Sequence, residues 1–108
     1  MAKRLPFLML ITALAAAAQD ARTAAVTGVV SDPAGAVIAG AKVTVVNTAT
    51  RFTSEGVTNE TGRYFIPYLA PGSYELRVEA PGFSRYVRSD IQLRAGDFPR
   101  IDVQLQLG

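Results

Sequence analysis

Apolar and polar residues alternate with a period of two along most of the chain after residue 24. In SYELRVEA (73–80), Tyr74, Leu76 and Val78 alternate with charged residues. Successive side chains of a strand point to opposite faces, so this pattern predicts a strand with one buried and one solvated face. Related patterns predict strands over 25–32, 41–48, 51–58, 62–69, 73–80, 98–107 and, as one or two short pieces, within 83–96.

Glycine and proline separate these strands at regular intervals. Pro-Gly occurs twice, at 71–72 and 81–82, and suits the central positions of a type II turn. We therefore interpret seven residues as structural turn positions: Gly35, Gly40, Gly62, Pro71, Gly72, Pro81 and Gly82. About seven short strands with turns every 8–12 residues are typical of an antiparallel β-sandwich.

The alternation also predicts which side chains point inward. The expected interior positions are Tyr64, Tyr74, Val87, Ile91, Leu93, Ile101, Val103, Leu105 and Leu107. Segment 51–58 has few large apolar residues, so we expect it and the first strand to be the sheet edges that a partner strand could join. Pro67 cannot donate to a ladder, which places it at a strand end or an edge.

The N-terminus has the three parts of a secretory signal peptide. Two basic residues precede a fourteen-residue apolar run, and Ala16-x-Ala18 closes it. A membrane-spanning helix needs roughly 20 apolar residues, so cleavage near Ala18 is favoured over an uncleaved anchor. We predict a signal-peptide helix at 1–18, a flexible leader at 19–25 and a folded domain at 26–107. Such a protein is exported to the periplasm, the outer membrane or the extracellular space.

Composition excludes several functions. Two of the 11 basic residues lie in the predicted signal peptide, which leaves nine against nine acidic residues. A neutral domain lacks the basic surface of nucleic-acid-binding proteins. The chain contains neither Cys nor His, which removes most metal sites and the Ser-His and Cys-His nucleophiles. We therefore expect no cofactor and no enzymatic activity.

Three segments together resemble the carboxypeptidase regulatory-like domain: GVVSDPAGAVIAGAKVTVVN (28–47), TNETGRYFIPYLAPGSYELRVEAPGF (58–83) and IDVQLQL (101–107). The resemblance covers 26–107 and implies a seven-stranded, transthyretin-like (prealbumin-like) Greek-key sandwich with a carbohydrate-binding-like fold. With the signal peptide, it also resembles the N-terminal extension of TonB-dependent outer-membrane receptors, which continue into a plug and a barrel. This chain stops at Gly108. The sequence is compatible with two alternatives: a free-standing secreted module, or the front piece of a receptor. In the second alternative, only a C-terminal barrel would contact the membrane.

Four residues are candidate ligand or partner contacts: Tyr68, Arg85, Tyr86 and Arg88. Exposed tyrosines could stack on sugar rings, and the arginines could face an acidic partner or simply keep the surface soluble. Glu75 and Glu79 lie on the solvent-facing side of one strand with Arg77 between them. This arrangement indicates a surface of paired charges rather than a catalytic pair of carboxylates. The leading hypothesis is a non-enzymatic interaction or spacer module, which binds a protein partner through its edge strands or supports the rest of a larger receptor. The alternative is a carbohydrate-binding module.

Overall fold

The computed structural model describes residues 22–108, which form two β-sheets and contain no helix. The seven strands are β1 (Ala24–Ser31), β2 (Lys42–Asn47), β3 (Thr53–Val57), β4 (Arg63–Leu69), β5 (Gly72–Glu79), β6 (Tyr86–Leu93) and β7 (Val103–Gln104). The prediction of an all-β sandwich is confirmed. The predicted signal peptide, 1–18, and the leader up to residue 21 lie outside the described residues. The last two residues of the predicted leader belong to β1.

The strand order is β4-β1-β7 in one sheet and β3-β2-β5-β6 in the other. Every named strand pair is antiparallel except β1 with β7, which run parallel. The segment before β7 follows β1 in the same direction, because Ala25 and Thr27 donate to the carbonyls of Asp97 and Pro99. The first strand is therefore central in its sheet, and our prediction that it is an edge is wrong. Segment 51–58 does contain an edge strand, β3.

The core lies between the sheets and is almost entirely aliphatic. Its largest fully buried side chains are Leu76, Leu105, Val26, Val30, Val43, Val45, Val78 and Val103. The inward positions predicted for Tyr64, Tyr74, Ile91 and Leu93 are confirmed, as are those of Ile101, Val103 and Leu105. Burying these apolar groups is the main force that holds two such sheets together.

Two β-bulges change which residues point inward. In β4, Ile66 pairs with Val26 and Leu69 with Ala24, so Pro67 and Tyr68 together oppose one residue of β1. In β6, Arg88 pairs with Leu76 and Ile91 with Tyr74, which leaves two residues opposite one in the same way. Each extra residue reverses the inward and outward alternation beyond it.

The β6 bulge explains one wrong interior prediction. Simple alternation would place Val87, Ile91 and Leu93 on the same face of β6. The bulge lies between Val87 and Ile91, so Val87 is exposed while Ile91 and Leu93 are buried. The prediction that Leu107 is buried is also wrong, because its side chain is exposed. Its backbone bridges Phe83 beyond the end of β7.

The two Pro-Gly pairs adopt different geometries. At the second pair, Phe83 N donates to Ala80 O over 3.2 Å and Gly82 has φ 84°, as a type II turn requires. At the first, Gly72 has φ 157° and already pairs with Leu93 as the start of β5. The type II turn expected at that position is therefore not formed.

Across residues 22–108, we find no helix long and apolar enough to cross a membrane.

Candidate functional site

The four predicted contact residues do not form one surface. Tyr68 lies beside Tyr74 near the start of β5, whereas Tyr86 pairs with Val78 near its end. Val78 is four positions after Tyr74 in the strand, which corresponds to about 13 Å. A sugar-binding platform made of Tyr68 and Tyr86 together is therefore not present.

The other three predicted contacts lie at the start of β6, next to the end of β5. Arg85 Nη1 lies 3.6 Å from Glu79 Oε1 in an exposed ion pair, and both residues line a shallow groove. Tyr86 is half-buried and packs against the core, so its ring is not a free platform. Arg88 is exposed and is near enough to Tyr64 to act on the pKa of its phenol. The exposed ion pair between Arg85 and Glu79 contributes little to stability.

A second groove, of about 300 Å³, lies at the other end of the sandwich, next to the edge strand β3. Phe52 and Tyr68 line it and are 79% and 81% exposed. Its other lining residues are Asn47, Thr50, Ser54, Leu69, Ala70 and Tyr74. We call it the Phe52–Tyr68 groove. Such concave surfaces with aromatic walls and a few polar groups are where ligands bind most often.

Tyr68 is held in a strained backbone conformation. As part of the β4 bulge it has φ 60°, in the left-handed region that bulky residues rarely adopt. The side chain gains almost no burial in return, because most of it is in solvent. Strain in an exposed residue with no packing role is more frequent at binding and catalytic sites than elsewhere.

A rigid turn positions Phe52 on the other side of the groove. Asn47 Oδ1 accepts hydrogen bonds from the backbone N–H groups of Ala49 and Thr50, both at 3.0 Å. Arg51 has φ 66° and donates to the Asn47 carbonyl over 2.7 Å. Asn47 itself is buried and lines the groove, so the residue that fixes the turn is also part of the groove wall.

The edge strand β3 has backbone groups free on its outer side. Phe52 O accepts from Asn47 N, and Thr58 N donates to Ala41 O, so residues 52, 54, 56 and 58 are those that bond β2. Antiparallel ladders alternate between bonded and non-bonded pairs. The N–H and C=O groups of Thr53, Glu55 and Val57 therefore point away from the sheet.

Among the four edges that the described residues form, β3 is the one without protection. The β4 edge contains Pro67 and a bulge, and β6 contains a bulge with Asp90 at φ 61°. The β7 edge has only two residues of regular strand. By contrast, β3 pairs with β2 over five residues without a register shift, and its one charge is Glu55. Natural proteins rarely leave such an edge unprotected.

Two groups among the described residues, Tyr64 and Asp102, have shifted pKa values. Burial, and then the nearby Asp102 carboxylate, raise the pKa of the Tyr64 phenol well above its usual value. Tyr64 Oη donates to Ile101 O over 2.5 Å. Hydrogen bonds from Arg100 lower the pKa of Asp102, which also accepts from Val29 N. No cluster of metal-ligating side chains occurs between residues 22 and 108.

The raised pKa of Tyr64 predicts a loss of stability in alkali. The unfolded chain releases the phenol proton near pH 10 while the folded chain retains it, so stability falls as the pH rises above 10. The slope for one such group approaches about 1.4 kcal/mol per pH unit. Tyr64→Phe is expected to remove this part of the slope and to cost about 1–3 kcal/mol at pH 7 through the lost hydrogen bond. Urea unfolding of both proteins between pH 8 and 11.5 measures it, and parallel curves would contradict the assignment.

Tyr68→Gly is expected to leave the domain as stable as before or more stable. Glycine adopts φ 60° freely, whereas other residues lose roughly 1–2 kcal/mol in that region. The midpoint of thermal unfolding should stay level or rise by a few degrees. A fall of more than about 5 °C would show that the ring stabilises the fold and is not available for binding.

The matching family model is that of the carboxypeptidase regulatory-like domain, and it covers residues 25–106. The chain belongs to this family. Over 65 residues this carboxypeptidase regulatory-like domain is 46% identical to the TonB-dependent transporter Oar of Myxococcus xanthus, a match that spans 56% of this chain and 6% of the transporter. The chain thus corresponds to a small part of that relative.

Solved structures share the fold of this carboxypeptidase regulatory-like domain at low identity. The TIE protein of Bacillus anthracis matches with a TM-score of 0.67 and 20% identity, over 80% of this chain and 17% of that protein. Hydroxyquinol 1,2-dioxygenase from Pseudomonas putida matches with a TM-score of 0.65 and 13% identity, over 82% and 58%. At such identities the likeness shows the fold alone, and the dioxygenase chemistry does not transfer.

Sequence reasoning finds Tyr68 and the β3 edge but misses Phe52. The signal is present: Phe52 is a large apolar residue directly after the polar turn NTATR and at the start of a strand otherwise poor in apolar residues. An isolated aromatic residue in that context is a candidate for an exposed position. The predicted arginines, in contrast, lie at the opposite end of the sandwich from the Phe52–Tyr68 groove.

Proposed function

We propose that this protein is an exported, non-enzymatic interaction and spacer module, and that it is the N-terminal extension, or a fragment of one, of a TonB-dependent receptor-like protein. The observation that carries the proposal is the 46% identity to a segment of a TonB-dependent transporter. In such a receptor the module would lie on the periplasmic side and reach the membrane only through a C-terminal barrel.

The physical features of the domain support a spacer and interaction role. The two sheets enclose a core of mostly aliphatic side chains, with Tyr64 and Tyr74 as its aromatic members, and burial of this core stabilises the unit. The β3 edge offers unused backbone hydrogen bonds to a partner strand. Addition of a strand to an exposed edge is a common way in which β-domains bind polypeptides.

The test is the size and location of the native product. An antibody against this domain should detect a protein in the outer-membrane fraction, and its gene should continue into segments of about ten alternating residues, as barrel strands require. A product of this chain's own size in the periplasm or medium would support an exported module but contradict the receptor assignment. A cytoplasmic product would contradict both.

The alternative function is a carbohydrate-binding module, and the Phe52–Tyr68 groove is the observation that favours it. Aromatic side chains on both sides of the groove and the polar residues Asn47, Thr50 and Ser54 in its lining are groups that can hold a sugar ring. Binding on a glycan array that Tyr68→Ala abolishes and Tyr86→Ala leaves intact would establish this function. Equal binding by Tyr68→Ala would remove it.

A further inference from the structure

We infer that the β3 edge and the Phe52–Tyr68 groove form one binding site for an extended polypeptide segment. The segment pairs with the outward backbone groups of Thr53, Glu55 and Val57 and inserts one apolar or aromatic side chain between Phe52 and Tyr68. This inference rests on the proposed interaction role and specifies the partner's chemistry.

The edge supplies the main-chain recognition. The backbone groups of residues 54 and 56 are hydrogen-bonded to β2. The N–H and C=O groups of Thr53, Glu55 and Val57 are not, so they can bond to a partner strand. The strand is regular over its five residues, so a partner can pair along it without distortion. A row of free N–H and C=O groups in an extended strand recognises another extended backbone.

The groove supplies the side-chain recognition and continues directly from the edge. Phe52 immediately precedes the first residue of β3, and Ser54 within β3 also lines the groove. Directly opposite residues of two paired strands place their side chains on the same face, so the partner residue opposite Ser54 lies next to the groove opening. The groove's volume of about 300 Å³ accommodates one large side chain.

The charge of the edge specifies the polarity of the partner. Glu55 is the one charged residue of β3, and its ion pair within the described part of the chain is an exposed contact of 3.5 Å with Lys42. Opposite charges on directly facing strand positions are favourable, and like charges are not. The partner segment therefore carries Lys or Arg opposite Glu55. A saccharide would occupy the groove but would leave the unprotected edge unexplained.

A random dodecapeptide library displayed on phage and selected against the purified chain is the probe. Selected peptides are expected to alternate apolar and polar residues, to contain one aromatic or large apolar anchor and to place a basic residue along the strand. Addition of such a peptide should slow hydrogen exchange at the amides of Thr53, Glu55 and Val57. The amides of Ser54 and Gly56, already bonded to β2, should change little.

Three variants separate edge pairing from groove binding. Glu55→Pro removes an outward N–H without removing a bond to β2, and it should weaken peptide binding at least tenfold while the chain stays folded. Glu55→Ala keeps the N–H and is the matched control, with a much smaller loss. Tyr68→Ala should also weaken binding at least tenfold, whereas Phe65→Ala, an exposed aromatic outside the groove, should not.

Several outcomes would overturn the inference. These are equal binding by Glu55→Pro and wild type, protection of amides elsewhere than in β3, or glycan binding in the groove with no peptide selected. None of them bears on where the native product resides, so a failure here is distinguishable from a failure of the proposed receptor role.

Discussion

Gly28→Ala is expected to destabilise the domain by about 3–5 kcal/mol, which is a large part of the total stability of most domains of this size. Gly28 lies on the inner face of the central strand β1. A Cβ atom there would overlap Ile101 O, and it would lie 2.7 Å from Ile101 C and 2.8 Å from Tyr64 Cε2. The backbone at Ile101 cannot retreat freely, because its N–H donates to Thr27 O over 2.8 Å and its carbonyl accepts from Tyr64 Oη.

Gly56→Ala is the matched control for this substitution. Gly56 is also a strand glycine, but its Cβ would meet Ile66 Cγ1 at 3.4 Å, which is an ordinary contact. Urea unfolding of both variants should show a loss in Gly28→Ala several times larger than in Gly56→Ala. Similar losses would mean that the segment before β7 can move away from β1, and that the parallel pairing there is loose.

The fold is predictable from the sequence because its signals are local. Tyr74, Leu76 and Val78 occupy consecutive inward positions of β5, and alternation alone identifies them. The bulges are not predictable in this way. Tyr68 and Asp90 adopt positive φ without being glycine, so no glycine marks the place where the alternation reverses. The interior prediction for Val87 is wrong for this reason.

The candidate site is predictable only in part, because it depends on contacts between distant segments. Residues 97–104 return alongside β1 in the parallel direction, which makes β1 central and leaves β3 as a regular, unprotected edge. Local pattern carries no information about that pairing. The grouping of Tyr68 with Phe52 rather than with Tyr86 likewise depends on the β2–β3 and β4–β5 connections lying at one end of the sandwich.

Gly62→Ala is expected to cost at least about 3 kcal/mol, from two causes that add. Gly62 has φ 75°, where a residue with a Cβ loses roughly 1–2 kcal/mol. Its Cβ would also lie 2.7 Å from Val37 Cβ and 2.9 Å from Val30 O. Val30 N donates to Gly62 O and Ile38 N donates to Val30 O, so the turn, β1 and the loop before β2 meet at this point. Gly62→Val brings more atoms into the same space and should unfold the domain.

Gly35→Ala separates the two causes. Gly35 has φ 89°, but a Cβ atom added there would have no heavy atom within 4 Å, so its substitution carries the backbone strain without the collision. We expect a loss of about 1–2 kcal/mol for Gly35→Ala, and the difference from Gly62→Ala then measures the crowding where the three segments meet. Thermal unfolding of the two variants under identical conditions gives that difference. Equal midpoints would mean that Val37 moves aside at little cost, and that the loop before β2 is not fixed against the turn at Gly62.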